Sequence, residues 1–284
     1  MLKDDDLSLI PMSGSQELAG FAIVLSGSPV GTIALHHISP GLASLRWEVG
    51  PDGRGQGIAL RAIRLTIEYA FVDLGLTRVE TRIDVTDTPS IRNASISGLR
   101  REGTVRGFGD APDQVLLARL ASDPAPFSRE GFVAILNAGL PKKRVISQGL
   151  LRDEQGRVLL CQLTYKSEWD LPGGVIEVGE APAGGLVREL QEELGITVEV
   201  RGLITVNWLP AWHEWDDACI FLFDLGAVDS SIVDEMTLQP TEIKSVEWCD
   251  ETTVKSNATS ATIELLDTVV SGAVPPYREA PLAD

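Results

Sequence analysis

Cysteine is scarce. The 284 residues hold three, Cys161, Cys219 and Cys249, with no CxxC pair among them. An odd, widely spaced set excludes a disulfide framework and a cysteine-built zinc site. Positive charge is also short, with 24 Lys+Arg against 41 Asp+Glu, a formal net charge of −17 and a pI near 4.6. Such a chain does not work by neutralising polynucleotide phosphates, so nucleic acid is not an expected partner. Long apolar runs are missing too. The longest, around residues 218–223, is far too short to span a bilayer, and no membrane partner is expected. The opening MLKDDDLSL is too acidic and too weakly apolar for a secretory leader, which makes the cytoplasm the expected compartment. The chain shows neither internal repeats nor low-complexity tracts.

What is present is a globular composition, 44% apolar and 23% charged, able to bury a sizeable core. A chain of this length accommodates two domains. Charge divides the same way: residues 1–125 carry 12 basic and 15 acidic side chains, and residues 126–284 carry 12 and 26. The segment ASDPAPFSRE at 121–130 interrupts the apolar periodicity with two prolines. The expected organisation is therefore a first domain at 1–122, a second at 130–272 and a proline-rich surface tail at 273–284.

In the first half, residues 21–25, 30–38, 42–49, 79–85 and 114–120 read as strands. Apolar residues at Ala59, Ile63, Ile67, Ala70 and Leu74 mark one face of a helix. In the second half, strands are expected at 145–153, 157–163, 198–206, 218–225 and 245–250. Helices are expected around Gly184–Leu194 and at 261–270. The fold class is α/β (α+β).

The segment GGVIEVGEAPAGGLVRELQEELGI (173–196) is the most informative. On a helix, Glu189, Glu192 and Glu193 fall at i, i+3 and i+4 and share a face, while Leu186, Leu190 and Leu194 form another that can bury. Clustered like charges repel unless a hard cation sits between them, and Mg²⁺ takes carboxylate and phosphate oxygens. The alternative reading is a solvated acidic face.

The segment satisfies G-x5-E-x7-R-E-U-x-E-E-x-G-U, with Gly174, Glu180, Arg188, Glu189, Leu190, Glu192, Glu193, Gly195 and Ile196 at the fixed places. In this the second half resembles the Nudix hydrolases. The resemblance implies an α/β/α sandwich that hydrolyses the acid anhydride of a nucleoside diphosphate linked to a group X, using Mg²⁺ or Mn²⁺. It further implies Glu189, Glu192 and Glu193 as catalytic metal ligands, with a backbone carbonyl of Gly173 or Gly174, and a structural Glu180–Arg188 pair. The base that takes the proton of water is either Glu189 or a later loop acid, Glu214, Asp216 or Asp217. Trp208, Trp212 and Trp215, near His213, either stack on a nucleobase or cover the sheet edge. Pro210 leans the substrate towards a nucleotide sugar, with a nucleoside triphosphate as the nearest competitor.

The first half carries a glycine-rich turn between a strand and a helix, a natural cradle for a pyrophosphate. Arg61 and Arg64 add cations nearby. Arg54, Gly55, Gln56, Gly57, Ile58 and Ala59 fit the R/Q-x-x-G-x-G/A loop of the GNAT acetyltransferases. Residues 20–120 resemble that family, which implies a mixed sheet with helices, acetyl-CoA at the loop and an amine acceptor. The chain departs from the pattern: only about 50 residues precede the turn, Asp87 replaces an Asn, and Ala94 stands where a Tyr acid is usual. Ser90 is the remaining candidate acid. Either this half transfers acetyl groups, making the chain bifunctional, or it serves as an acetyl-CoA sensor or a dimerisation module.

Overall fold

The computed structural model describes residues 1–12, 17–53, 55–211 and 215–280. The chain divides into two units, Met1–Pro141 and Lys142–Asp284. Among the described residues, no helix is long and apolar enough to cross a membrane.

The first unit runs β1 (Leu2–Asp4), β2 (Leu7–Pro11), β3 (Ala19–Leu25), β4 (Ser28–Ser39), β5 (Leu42–Val49), a 3-10 turn at Pro51–Gly53, then α1 (Ile58–Val72). It continues through β6 (Arg78–Asp84), α2 (Thr88–Ile96), β7 (Arg100–Val105), β8 (Gln114–Leu120) and α3 (Arg129–Gly139). The strands described form one sheet in the order β1-β2-β3-β4-β5-β6-β8-β7. Alternation turns Leu7 and Leu9, Phe21 and Ile23, Ile33 and Leu35, and Ala43 and Leu45 into the core, where Ala62, Ile63, Ile67 and Ala70 of α1 meet them. The β1–β2 hairpin had no counterpart in the strand expectations, because LKD and LSLIP are too short to show a period of two.

The sheet is antiparallel except between β5 and β6, whose parallel pairing covers only Leu42–Ser44 with Arg78–Glu80. Beyond Ser44 and Glu80 the two strands part. The opening lies at the end of β5, where the chain turns into the glycine-rich loop and α1.

The expected boundary at 121–130 needs correction. Residues 129–139 form α3, which Ser128 caps by accepting a hydrogen bond from the Gly131 N–H at 3.0 Å. Gly131 permits this packing, since a Cβ there would come within 2.0 Å of the Ala125 carbonyl oxygen. The helix packs on β7 and α2, so the first unit extends to Pro141 rather than 122, and the second begins at Lys142 rather than 130.

The second unit contains β9 (Arg144–Arg152), β10 (Val158–Leu163), β11 (Trp169–Asp170), β12 (Gly173–Val175), α4 (Pro182–Leu194), β13 (Gly202–Leu209) and β14 (Ala218–Ala227). It ends with α5 (Ile232–Glu235), β15 (Ile243–Cys249), α6 (Glu251–Asn257), α7 (Ser260–Val270) and β16 (Tyr277–Glu279). Strands β11-β10-β9-β14-β13-β16 lie in that order, with β12 paired to β9 and β15 to β10. The sheet separates two cores. Leu186, Leu190 and Leu194 of α4 pack with Leu151, Leu159 and Leu225 on one side. Leu265 and Leu266 of α7 pack with Leu150, Leu160 and Leu222 on the other. An α/β/α arrangement results.

Two further expectations change. Residues 198–201 were read as the start of a strand, but Val198 and Val200 pack into the α4-side core outside the ladder, and β13 begins at Gly202. The tail at 273–284 is not merely surface, because β16 pairs in parallel with Val206–Trp208 of β13. Thr205 also donates to the Pro275 carbonyl at 2.8 Å.

Leu190 is fully buried between α4 and the sheet. Leu190→Ala is expected to destabilise the second unit by about 2–5 kcal/mol, read as a lower urea midpoint.

Candidate active site

Strand β12 and helix α4 bring the acidic segment together. Gly173, Gly174 and Val175 pair antiparallel with Gln148, Ser147 and Ile146 of β9. The Ser147 hydroxyl donates to the Pro182 carbonyl at 2.8 Å and ties the start of α4 to the same strand. The carboxylate of Glu189 consequently lies against Gly174. A Cβ on Gly174 would stand 2.5 Å from the Glu189 carboxyl carbon, so only glycine admits this approach.

Arg188 organises the carboxylates. Its Nε and Nη2 donate to Glu180 Oε1 and Oε2 at 2.9 and 3.0 Å, a bidentate fork. Its Nη1 lies 3.0 Å from Glu189 Oε1 and 3.0 Å from Glu192 Oε2, and Nη2 reaches the Val175 carbonyl at 3.3 Å. Arg188 thus holds the loop carboxylate Glu180, lowering its pKa, and two helix carboxylates at once. Glu192 is turned outward to Arg188 with its side chain 59% exposed, whereas Glu193 is buried. Among the described residues no three His, Cys, Asp or Glu side chains gather into a metal-holding cluster. Glu189 lies close enough to the buried Glu193 for its charge to act on it, while Glu192 pairs with Arg188 at the surface.

A fourth carboxylate, the exposed Glu242, stands beside Glu193. The segment 237–242 is pinned to the end of α4 by the Thr237 N–H on the Leu194 carbonyl at 2.9 Å and the Gln239 N–H on the Glu193 carbonyl at 2.8 Å. The Thr164 N–H donates to the Glu242 carbonyl at 2.9 Å, fixing the loop after β10 to the same place. These bonds set Glu242 against Glu193. Burial, then the charges of Glu189 and Glu242, push the Glu193 carboxyl up to about 8. Burial likewise raises Glu189, against the pull of Arg188. Carboxylates are hard oxygen donors, and the repulsion that Glu189 and Glu242 exert on the buried Glu193 is of the kind a divalent cation relieves.

Sequence reasoning missed Glu242, which sits alone in LQPTEIKSVEW without helical spacing to the other acids. Of the loop acids considered as base, Glu214 lies outside the described residues, as do Trp212 and His213. The backbone carbonyl of Asp216 accepts from Arg144 at 3.0 Å, and the Asp217 carboxylate pairs with Lys143.

In the first unit, Gly55 and Gly57 adopt φ of +78° and +70°. Glycine adopts these left-handed values without strain, and open space surrounds both α-carbons before α1. Gln56 folds back, donating to the Asp52 carbonyl at 3.0 Å. Ile58 is buried and Ala59 half-buried, so both anchor the helix. Arg54 lies outside the described residues. Arg61 and Arg64, expected beside the cradle, are engaged in packing. Arg61 pairs with Asp4 at 2.6 Å and Asp6 at 2.9 Å, and Arg64 donates to the Ile96 carbonyl and stacks on Phe127 at 4.1 Å. Asp87 caps α2 by accepting from the Ser90 N–H at 3.1 Å, which gives these two residues a structural task.

The comparisons with known proteins agree with this division. The family model described as NUDIX domain matches residues 142–268, and that described as Acetyltransferase (GNAT) domain matches residues 8–100. The chain joins a GNAT domain to a NUDIX domain. It is 43% identical over 61 residues to an 8-oxo-dGTP diphosphatase of Proteus vulgaris, covering 20% of this chain and 54% of that protein. It is 26% identical over 114 residues to the "Uncharacterized N-acetyltransferase p20" of Bacillus licheniformis, covering 39% of this chain and 62% of that one. The chain therefore spans only about half to three fifths of the length of these curated relatives. Among solved structures, the MutT protein of Methanosarcina mazei Go1 aligns at 22% identity and a TM-score of 0.41, covering 47% of this chain and 98% of that one.

Because Glu193 is buried among like charges, Glu193→Gln is expected to melt at or above wild type in EDTA. Mg²⁺ is expected to raise the wild-type Tm by roughly 2–4 °C per kcal/mol of binding energy and to leave the variant unmoved, as calorimetric scans would show.

Proposed function

We propose that the second unit is a divalent-cation-dependent pyrophosphohydrolase acting on a nucleoside diphosphate linked to a group X. The carrying observation is the buried Glu193 with the half-buried Glu189, which lies against Gly174, the exposed Glu242 beside it, and Glu192 one ion pair away. Glu189, Glu192 and Glu193, with the carbonyl of Gly173 or Gly174, would hold Mg²⁺ or Mn²⁺. When bound, the ion supplies a Lewis acid for phosphoryl oxygens and lowers the pKa of water. The chain's own residues supply the rest. Arg188 keeps the loop and helix in register, and a carboxylate accepts the proton of the attacking water. Glu189, the loop acids Glu214, Asp216 and Asp217, and Glu242 are the candidates for that base.

The relative named as an 8-oxo-dGTP diphosphatase supports a nucleoside triphosphate over the nucleotide sugar towards which Pro210 leaned. Hydrolysis of a triphosphate would release a nucleoside monophosphate and pyrophosphate. In a Mg²⁺ assay across nucleoside triphosphates, nucleoside diphosphate sugars and dinucleotides, mass spectrometry should find monophosphate from the triphosphates first. Glu192→Gln should lower kcat by at least about 10²-fold while circular dichroism stays unchanged. Full activity in that variant would contradict the assignment.

The first unit is read as an acetyl-CoA-binding module. The support is the glycine cradle at the start of α1 and the parting of β5 from β6. With the Asp87 carboxylate engaged in the cap of α2, binding is the stronger expectation and transfer to an amine, with the Ser90 hydroxyl as acid, the second. Calorimetry should detect acetyl-CoA binding that Gly57→Val weakens at least about tenfold, since a β-branched residue does not tolerate φ near +70°. Acetylation of an amine panel would support the second reading.

A further inference from the structure

The loop after β10 is clamped on both sides of Tyr165. Before it, the Thr164 N–H donates to the Glu242 carbonyl at 2.9 Å and the Thr164 hydroxyl to the Thr241 carbonyl at 2.7 Å. After it, the Lys166 ammonium pairs with Asp170 at 2.7 Å, and the other oxygen of Asp170 accepts from the amide of the buried Gln148 at 2.9 Å. The ring between the clamps is 68% exposed, so packing of the core does not account for it. Among the described residues no hydrogen bond engages its hydroxyl.

The surroundings of that hydroxyl are those of the acidic site. Glu242, whose carbonyl holds Thr164, is the carboxylate that acts on Glu193. Loss of water, then the negative charges of Glu193, Asp170, Glu242 and Glu189, raise the Tyr165 phenol above its usual pKa. The hydroxyl therefore stands within electrostatic reach of Glu189 and Glu193, and it keeps its proton at neutral pH as a donor. Two cations of this region are committed elsewhere, Arg188 to Glu180, Glu189 and Glu192, and Lys166 to Asp170. A phosphate drawn to the carboxylates through a divalent ion still has oxygens that face away from that ion and need donors. Of Arg188, Lys166 and Tyr165, only the phenol is not already paired with a carboxylate.

We infer that Tyr165 is a phosphate-binding residue of this site, its hydroxyl donating to a phosphoryl oxygen of a ligand whose phosphates lie beside Glu189 and Glu193. A neutral donor suits the position. A lysine or arginine there would pair with the carboxylates and compete with a cation for them. The clamps at Thr164 and Lys166 matter because a donor helps most when it is already in place. The inference rests on the hydrolase reading for where the phosphates lie, but the contact itself forms with or without turnover.

The test uses the full chain with Mg²⁺ and imidodiphosphate, a diphosphate mimic that resists hydrolysis. Calorimetry should show binding that Tyr165→Phe weakens roughly tenfold or more. Tyr165→Ala should weaken it no more than about twofold further, since the hydroxyl and not the ring makes the contact. Mn²⁺ binding, followed by electron paramagnetic resonance, should be the same in Tyr165→Phe and wild type. The kcat/KM for dGTP should fall at least about tenfold in Tyr165→Phe. Equal affinity for imidodiphosphate in wild type and Tyr165→Phe overturns the assignment, and so does no measurable binding to wild type. A gap of about tenfold or more between Tyr165→Phe and Tyr165→Ala overturns it too, by giving the contact to the ring. Loss of Mn²⁺ binding in Tyr165→Phe has the same consequence, because Tyr165 would then be a support of the carboxylates. Imidodiphosphate binding that depends on the hydroxyl, without hydrolysis of any nucleotide by wild type, keeps the phosphate contact and removes the hydrolase reading instead.

Discussion

One guanidinium carries the geometry of the acidic half. Arg188 reaches the loop through Glu180 and the Val175 carbonyl, and the helix through Glu189 and Glu192. Without it, a glycine-bearing loop and a helix crowded with carboxylates would have no common anchor on the solvent side. The apolar face of α4 fixes only where the helix lies on the sheet. Arg188 fixes which carboxylates are paired, and Glu193, with Leu190 and Leu194, is among the buried residues of the helix. Glu193 is left buried among Glu189 and Glu242, at a cost in repulsion that makes sense where a cation is to be received.

The acidity of the chain takes on a different meaning at this level. The excess of 26 acidic over 12 basic side chains in residues 126–284 includes a few with a definite position, namely Glu180, Glu189, Glu192, Glu193 and Glu242. The first unit, nearly balanced, uses its arginines otherwise than their sequence neighbours suggest. Arg61 and Arg64 fasten α1 to the first hairpin and to the end of α2, so their charges serve packing rather than the glycine-rich turn.

Much of this was legible because its signals are local. The strands at 42–49 and 114–120 and the helix of the acidic segment follow from period and spacing, and the spacing of Glu189, Glu192 and Glu193 puts them on one helix. What escaped depends on contacts far apart in sequence. Helix α3 looked like a linker because its flanking prolines interrupt the pattern, yet Ser128 caps it and β7 receives it. Glu242 is brought to Glu193 by backbone bonds from Thr164 and Gln239, residues with no motif of their own. The split of the three helix carboxylates, Glu192 outward and Glu193 inward, depends on Arg188 and on burial, neither of which a helical wheel resolves.

The central claim is that the carboxylates around Glu193 receive a divalent cation, and electron paramagnetic resonance of Mn²⁺ tests it most directly. Titrating the full chain should remove the free Mn²⁺ signal with at least one ion bound per chain, and Glu193→Gln should lose that binding while remaining folded. Equal Mn²⁺ binding by wild type and Glu193→Gln would contradict the account.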